Sequence, residues 1–295
     1  MKILILGSTG MLGFTLLSEL TNHTNFKLYA TYRDDKIKKL LVKKIKAPTN
    51  KIKFTKIDIL NMSNLKLKKL IKGMDVIINC IGLIKQKIHN SKNNKEAVII
   101  NTLLPFRLNN LRKKSQKIYQ ISTDCVFDGT KGNYRENDIH NSQDIYGLSK
   151  SLGEINEFNF FNIRCSIIGN ELKSNFSLVT WFLNIKKNTT VNGYTNHIWN
   201  GVSTKVFSKI LIKIIENKIH LPNKFHLIPK DKISKYVLLN YIKKIKHVPV
   251  KIKRYKTKTK IDRSLSTNYK KLNLKLWNLT FKKQLSIKKI IENYI

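Results

Sequence analysis

The sequence predicts an α/β chain, a doubly wound and largely parallel sheet followed by a smaller C-terminal lobe. Three observations predict it. Apolar strands alternate with amphipathic helices up to Ile168, a glycine-spaced turn follows the first strand at once, and the pattern loosens after Gly169. Ile3 to Leu6 is a continuous apolar strand, and the turn Gly7-Ser8-Thr9-Gly10-Met11-Leu12-Gly13 leads into a helix through Leu16, Leu17 and Leu20. Lys27 to Tyr32 reads as the next strand. Between Leu40 and Leu70 the chain is lysine-rich, with a short strand around Lys53 to Ile57 and a helix ending near Gly73. Asp75 to Ile81 is a hydrophobic strand with Gly82 just beyond it. Ala97 to Leu111 predicts a helix, Lys117 to Ser122 a strand, Tyr146 to Phe158 a helix and Asn162 to Ile168 a strand. Long irregular stretches around Asn188 to Ser203 mark the second lobe. The expected domains are 1–168 and 169–295, with elements of the second returning to the first.

Composition narrows the class. The 295 residues are 41% hydrophobic, which suffices for a core, and aliphatic residues recur along the whole length, which excludes disorder. The longest apolar run, Val76 to Ile84, is too short to span a bilayer. The opening Met1 to Gly7 is too short for a secretory h-region and reads as a buried strand. Cys80, Cys125 and Cys165 are an odd number without CxxC spacing, so neither a disulfide framework nor a metal site is assigned. A reduced, cytoplasmic setting is the expectation.

The net charge of +39 comes from 57 Lys and Arg against 18 Asp and Glu. Only seven of these cations are Arg, so the excess reflects a drift in residue usage more than bidentate phosphate recognition. Lys243 to Lys260 is the densest stretch and contains no acid. A solvated face is its first reading and a lobe attracting a pyrophosphate-bearing substrate its second. Nucleic acid comes third, so no nucleic-acid partner is assigned.

The glycine turn carries the first functional reading. Gly7 permits the tight turn, Gly10 lets the backbone approach a pyrophosphate, and Gly13 lets helix and strand pack closely. Thr9, Met11 and Leu12 complete a Rossmann-type loop at a helix N-terminus, where a dinucleotide is held. The second strand ends at Tyr32, followed by Arg33. That order favours the 2′-phosphate of NADPH, with NADH kept open because Asp34 and Asp35 lie one step away. Asp58 and Ile59 are candidates for the adenine edge, Asp58 being equally readable as an N-cap. Cys80, Ile81 and Gly82 lie at the tip of the fourth strand and join the cofactor set.

The second reading is chemical. Tyr146 and Lys150 stand four apart and share one helical face. A phenol is a poor acid or base at neutral pH, and a neighbouring ammonium together with an oxidised nicotinamide would bring it into range. Lys150 would also bond the nicotinamide ribose. Thr123, at the end of a parallel strand, could donate to a substrate carbonyl while Tyr146 delivers the proton. Ser122 takes that role if the strand ends one residue earlier.

With Gly7 to Gly13, Asn79 to Gly82, Asn101, Ser122 to Gly129, Tyr134-x-Glu136-x-Asp138, Tyr146 to Glu154 and Arg164 to Gly169 in hand, the chain resembles the extended short-chain dehydrogenase/reductases. It is most similar to their dTDP-4-dehydrorhamnose reductase branch. The resemblance implies Thr123 and Tyr146 as carbonyl-polarising and proton-donating groups, Lys150 as their partner, and hydride transfer to a 4-keto-6-deoxy nucleotide sugar for surface polysaccharide synthesis. It departs at Cys125, where that branch usually has Tyr. Related dehydratases need a Glu there, so dehydration is disfavoured. Asp124, Cys125 and Trp199 are substrate-side candidates with His197 beside them, core packing being as good an account of Trp199. The expected partner is a nucleotide sugar, and a homodimer stays open. A nucleotide-sugar epimerase using the same residues is the alternative, and a non-catalytic regulatory scaffold is the reading from another class.

Overall fold

The computed structural model describes residues 1–45 and 49–295. They form two compact units that interleave along the chain. Met1–Val126, Asn141–Arg164 and His220–Phe225 make the first, and Phe127–His140, Cys165–Ile219 and His226–Ile295 the second. A single boundary at 168 therefore does not describe the division, because the chain enters the second unit first at Phe127 and returns at Asn141.

The first unit is built on strands β1 (Lys2–Leu6), β2 (Lys27–Tyr32), β3 (Ile52–Lys56), β4 (Val76–Asn79), β5 (Lys117–Ile121) and β6 (Phe160–Arg164). They stand in the order β3-β2-β1-β4-β5-β6, and a seventh strand, Lys224–His226, lies beyond β6. Every pairing from β3 to β6 is parallel. The chain winds outward from β1 in one direction and from β4 in the other. The carboxyl ends of these two strands therefore meet at the switch point, where such sheets bind ligands. Residues 3–6 and Val76–Asn79 are buried, which is why these strands read as near-continuous apolar runs rather than alternating ones. Leu4, Leu6, Ile77, Ile118 and Phe160 pack with Leu67, Ile71, Leu104 and Leu108 in one core. Each such side chain contributes roughly 1.5–3 kcal/mol by burial.

The helices of this unit are α1 (Met11–Leu20), α2 (Asp35–Lys44), α3 (Asn64–Ile71), α4 (Ser91–Ala97), α5 (Leu104–Leu111) and α6 (Ile145–Leu152). Asp34, Ser63, Asn90 and Asp144 cap four of them through side-chain acceptors. A π-helical turn, Val98–Leu103, joins α4 to α5, so helix starts at Ser91 and not at Ala97. The polar run Ser91 to Glu96 carries no apolar period, and the Asn90 cap on the Asn93 amide supplies the start. At its other end α6 stops at Leu152, short of the expected Phe158. A Cβ on Gly153 would overlap the Asn101 carbonyl oxygen, and the chain turns away there. The expected strand Asn162 to Ile168 is also divided. Residues up to Arg164 pair with β5, whereas Ile167–Ile168 pairs with Val202–Ser203 in the second unit.

The second unit contains three small sheets. Besides that pair, His197–Trp199 lies between Ile233–Ser234 and Ile261–Asp262, and Thr190–Tyr194 runs parallel to Lys251–Tyr255. Val179, Phe182, Trp199, Leu238, Ile242, Ile287 and Ile291 form its core. The segment Phe127–His140 is pinned within this unit. Tyr134 stacks on Phe127 at 4.2 Å and donates its hydroxyl to Asp128, while the buried Glu136 carboxylate accepts from the His226 and Asn268 amides. The strand Lys251–Tyr255 is largely exposed, so this dense basic stretch has the solvated face of its first reading. Among the described residues no helix is long and apolar enough to cross a membrane, and no His/Cys/Asp/Glu group could hold a metal ion.

Candidate active site

The turn after β1 is shaped by its glycines. Gly7 has φ +79° and packs so closely on the turn after β4 that a Cβ would lie 2.8 Å from Ile81 Cγ1. Gly13 is in α1, and a Cβ there would overlap the Gly7 carbonyl oxygen. Helix and strand can approach this closely only without those side chains. Gly10 begins α1 without a side-chain cap, and on its open side a Cβ would meet only the Gly7 oxygen, at 3.4 Å. The first-turn amides of Met11, Leu12 and Gly13 thus lie at an uncapped positive helix end beside open backbone. The loop is held from β2, where Thr31 Oγ1 accepts the Gly7 amide at 2.9 Å and Thr31 O accepts both the Ser8 amide and its hydroxyl.

Strand β2 ends at Tyr32, as the sequence reads. The two carboxylates that complicated the cofactor reading are committed elsewhere. Asp34 caps α2 through the Lys36 and Ile37 amides, and Asp35 pairs with Lys56 and takes a hydrogen bond from Tyr32. Arg33 is exposed, and among the described residues no hydrogen bond or ion pair engages it. Asp58 is an N-cap, accepting from the Leu60 amide and Asn61 Nδ2, and the Ile59 side chain is buried in the core. The Asp58 carboxylate keeps acceptor sites beyond those two bonds, whereas the Ile59 side chain is committed to the core.

The turn after β4 is fixed by two buried asparagines. Asn79 donates to Gln120 at 2.8 Å and accepts the Ile81 amide. Asn101, carried inward on the π-helical turn, bonds both the amide and the carbonyl of Leu83 and donates to Ser149 Oγ. A Cβ on Gly82 would lie 3.5 Å from Asn101 Oδ1 and 3.9 Å from Lys150 Nζ, so this turn lies against the ammonium.

Beside that turn, α6 and the end of β5 bring Thr123, Tyr146 and Lys150 together. The Thr123 hydroxyl hydrogen-bonds the half-buried Tyr146 phenol. It also lies 3.1 Å from Asp124 Oδ1, and its single proton can serve only one of the two at a time. Lys150 donates to the Ile121 carbonyl at 2.6 Å. Desolvation pulls the Lys150 ammonium down to about 8, opposed by Glu154 and Cys80. The Cys80 thiol is pushed up to about 12 by desolvation, so it is neutral at pH 7. Tyr146 differs from the sequence expectation. Burial raises its pKa, Cys125, Asp124 and Asp144 raise it further, and only Thr123 lowers it. Within the protein burial holds Tyr146 as a protonated donor, with the acids beside it acting in the same direction.

Ser122 does not stand in for Thr123. Its hydroxyl is spent on Glu154 Oε1 at 2.6 Å. Cys125 is half-buried with its Sγ 3.7 Å from Asp124 Oδ1, and Asp124 is buried. Trp199 is corrected to core. It is 3% exposed in the second unit and its indole donates to Ser166 Oγ at 2.8 Å. His197 stacks on Tyr194 and meets Thr257 Oγ1 at 3.0 Å. Sequence reasoning assigned no role to Asn101, Ser149, Glu154 or Arg164, although all four fall inside its motifs or at their boundaries. A polar residue within an apolar helix was the available signal for Asn101.

The family described as the RmlD substrate binding domain matches residues 1–294. The chain belongs to the RmlD family. It is thereby an extended short-chain dehydrogenase/reductase. The curated bifunctional polymyxin resistance protein ArnA of Wigglesworthia glossinidia brevipalpis is 28% identical over 159 residues, 51% of this chain. The match covers 23% of ArnA, so this RmlD-family chain spans about a quarter of the curated relative it matches. Among solved structures, dTDP-4-dehydrorhamnose reductase from Bacillus anthracis str. Ames, in complex with NADP, is 19% identical, with 99% of this chain and 98% of that one covered and a TM-score of 0.74. UDP-glucuronic acid 4-epimerase from Bacillus cereus, in complex with UDP-glucuronic acid and NAD, is 17% identical, with 99% and 97% covered and a TM-score of 0.78. These two likenesses show the fold alone.

Proposed function

We propose that the chain is an NADPH-dependent reductase of a 4-keto-6-deoxy nucleotide sugar. The observation that carries this reading is the Thr123 hydroxyl bonded to a protonated Tyr146, on the same unit that carries the glycine turn after β1. The residues fit a dinucleotide. Glycine-only backbone and the uncapped start of α1 suit a pyrophosphate, Arg33 suits a 2′-phosphate, and Lys150 with the Gly82 turn suits a nicotinamide ribose. The bound cofactor would supply the hydride. Thr123 and Tyr146 would both donate to the substrate carbonyl oxygen, and Tyr146 would give up its proton as charge develops there. Lys150 would hold the positive charge that steadies the resulting phenolate.

The test is oxidation of NADPH and NADH followed at 340 nm, with dTDP-4-keto-6-deoxyglucose offered alone and together with a 3,5-epimerase. Turnover supports the reading, and the epimerase requirement defines the substrate. Tyr146→Phe should lose at least about 10²-fold in turnover, the usual worth of a general acid, and should still bind NADPH. A near-wild-type rate in that variant would overturn the mechanism. Cofactor that stays bound through purification, with sugar inverted but no net reduction, would move the reading to an epimerase.

A further inference from the structure

Behind the working face of α6 lies a buried ionic cluster that the proposed chemistry does not use. Arg164, at the end of β6, meets Glu154 side-on, with Nε to Oε1 at 2.8 Å and Nη2 to Oε2 at 2.6 Å. The two side chains are 0% and 2% exposed. Ser122 donates its hydroxyl to Glu154 Oε1 at 2.6 Å, and Ser122 directly follows Ile121, whose carbonyl accepts from Lys150 Nζ at 2.6 Å. The Ser122 amide in turn donates to the Ile163 carbonyl, the residue before Arg164. One short path of hydrogen bonds therefore runs from the end of β6, through Glu154 and the end of β5, to the Lys150 ammonium.

We propose that Glu154, locked by Arg164 and Ser122, is a positioning residue that keeps Lys150 charged and aimed along β5. Burial alone would strip Lys150 of its proton near neutral pH. The groups that face it are the Cys80 thiol after β4, the Ile121 carbonyl on β5, Asn101 beside Gly82, the protonated Tyr146 phenol one turn earlier on α6, and Glu154. Cys80 is neutral at working pH, and the carbonyl and the amide carry no net charge. Glu154 is thus the formal negative charge that opposes the desolvation of Lys150. Arg164 pairs side-on with that carboxylate, and an opposite charge at this distance favours the ionised form.

The inference rests on the reading of Lys150 as a working group, yet its test needs no substrate. The full chain is labelled in trace amounts with isotopic acetic anhydride from pH 6 to 11, and the extent of reaction at Lys150 is read by peptide mass spectrometry. Wild type should titrate near 8. Glu154→Gln leaves a buried guanidinium unpaired and endangers the fold, so Glu154→Gln with Arg164→Met removes both charges together. That folded double variant should titrate at least about tenfold lower in proton affinity, one pH unit. Glu154→Asp, which keeps the charge, should restore most of the difference. A folded double variant with an unmoved Lys150 titration would overturn the proposal. If no sugar is turned over while the Lys150 titration moves as stated, the functional reading fails and this inference stands.

Discussion

A phenol that burial keeps protonated and an ammonium that burial weakens place different limits on pH. Tyr146 is raised above the ordinary phenol value, so it remains an acid throughout the neutral range. Lys150 is lowered to about 8, so its charge is present below that value and disappears as pH rises through it. Reductive kcat/KM should therefore hold below about pH 8 and decline above it with the slope of one ionisation. A pH–rate profile checks this, and activity that climbs through pH 8 would contradict it. Arg33 poses a separate question at the same scale. Among the described residues nothing engages its exposed guanidinium, while both following carboxylates are occupied. Arg33→Ala should weaken NADPH binding by roughly five- to tenfold, the reach of an exposed charge-assisted hydrogen bond of about 1 kcal/mol. NADH binding should change little, and parallel fluorescence titrations separate the two cofactors.

Element geometry turns on where backbones nearly touch. Gly13 and Gly153 each face a carbonyl oxygen, of Gly7 and Asn101 respectively, at distances that no Cβ tolerates. A backbone neighbour cannot rotate aside, so Gly153→Ala should shift α6 against the π-helical turn and cost about 1–3 kcal/mol. The loss should show as a lower denaturant midpoint with an unchanged m-value. Gly13→Ala should cost a similar amount and also weaken NADPH binding, because the turn that approaches the pyrophosphate moves. The same contacts explain what was legible beforehand. The strands β1 and β4 announce themselves because burial on both faces demands near-continuous apolar runs. The glycine turn is legible because its spacing is backbone geometry written as composition. The end of α6 differs from the expectation because the apolar residues Ile155 and Phe158 continue the pattern past Gly153, which is the C-cap of the helix. Glu154 was quoted as a motif boundary and given no role, since its partner Arg164 comes near only when β6 pairs with β5. Trp199 was a substrate-side candidate from the place of its segment in the resembling family, with core packing as good an account, and the fold puts it in the core with Val179, Leu238 and Ile242.

Charge is a property of the whole molecule. With 57 cations and 18 carboxylates, most ammonium groups have no acid to pair with, and the surviving bridges such as Lys85–Asp144 and Lys131–Asp138 involve exposed lysines. Pairs of that kind contribute little, whereas a net charge of +39 repels itself over distances comparable with the Debye length. Added sodium chloride shortens that length from ~30 Å at 0.01 M to ~8 Å at 0.15 M, so screening should relieve more repulsion than it removes attraction. Thermal stability should accordingly rise with salt. Relief of about 1–2 kcal/mol would raise the midpoint by a few degrees in a chain of this size. The same physics separates the weak polyanion binding any such surface shows from a true nucleic-acid site. Binding of single-stranded RNA should be detectable in dilute buffer and vanish near physiological salt, without preference among sequences. A thermal midpoint that falls as salt is added would mean that attractive networks outweigh the net charge. RNA binding that survives physiological salt would mean that the lysines of Lys251–Tyr255 and its surroundings form a selected surface and not a drift in usage.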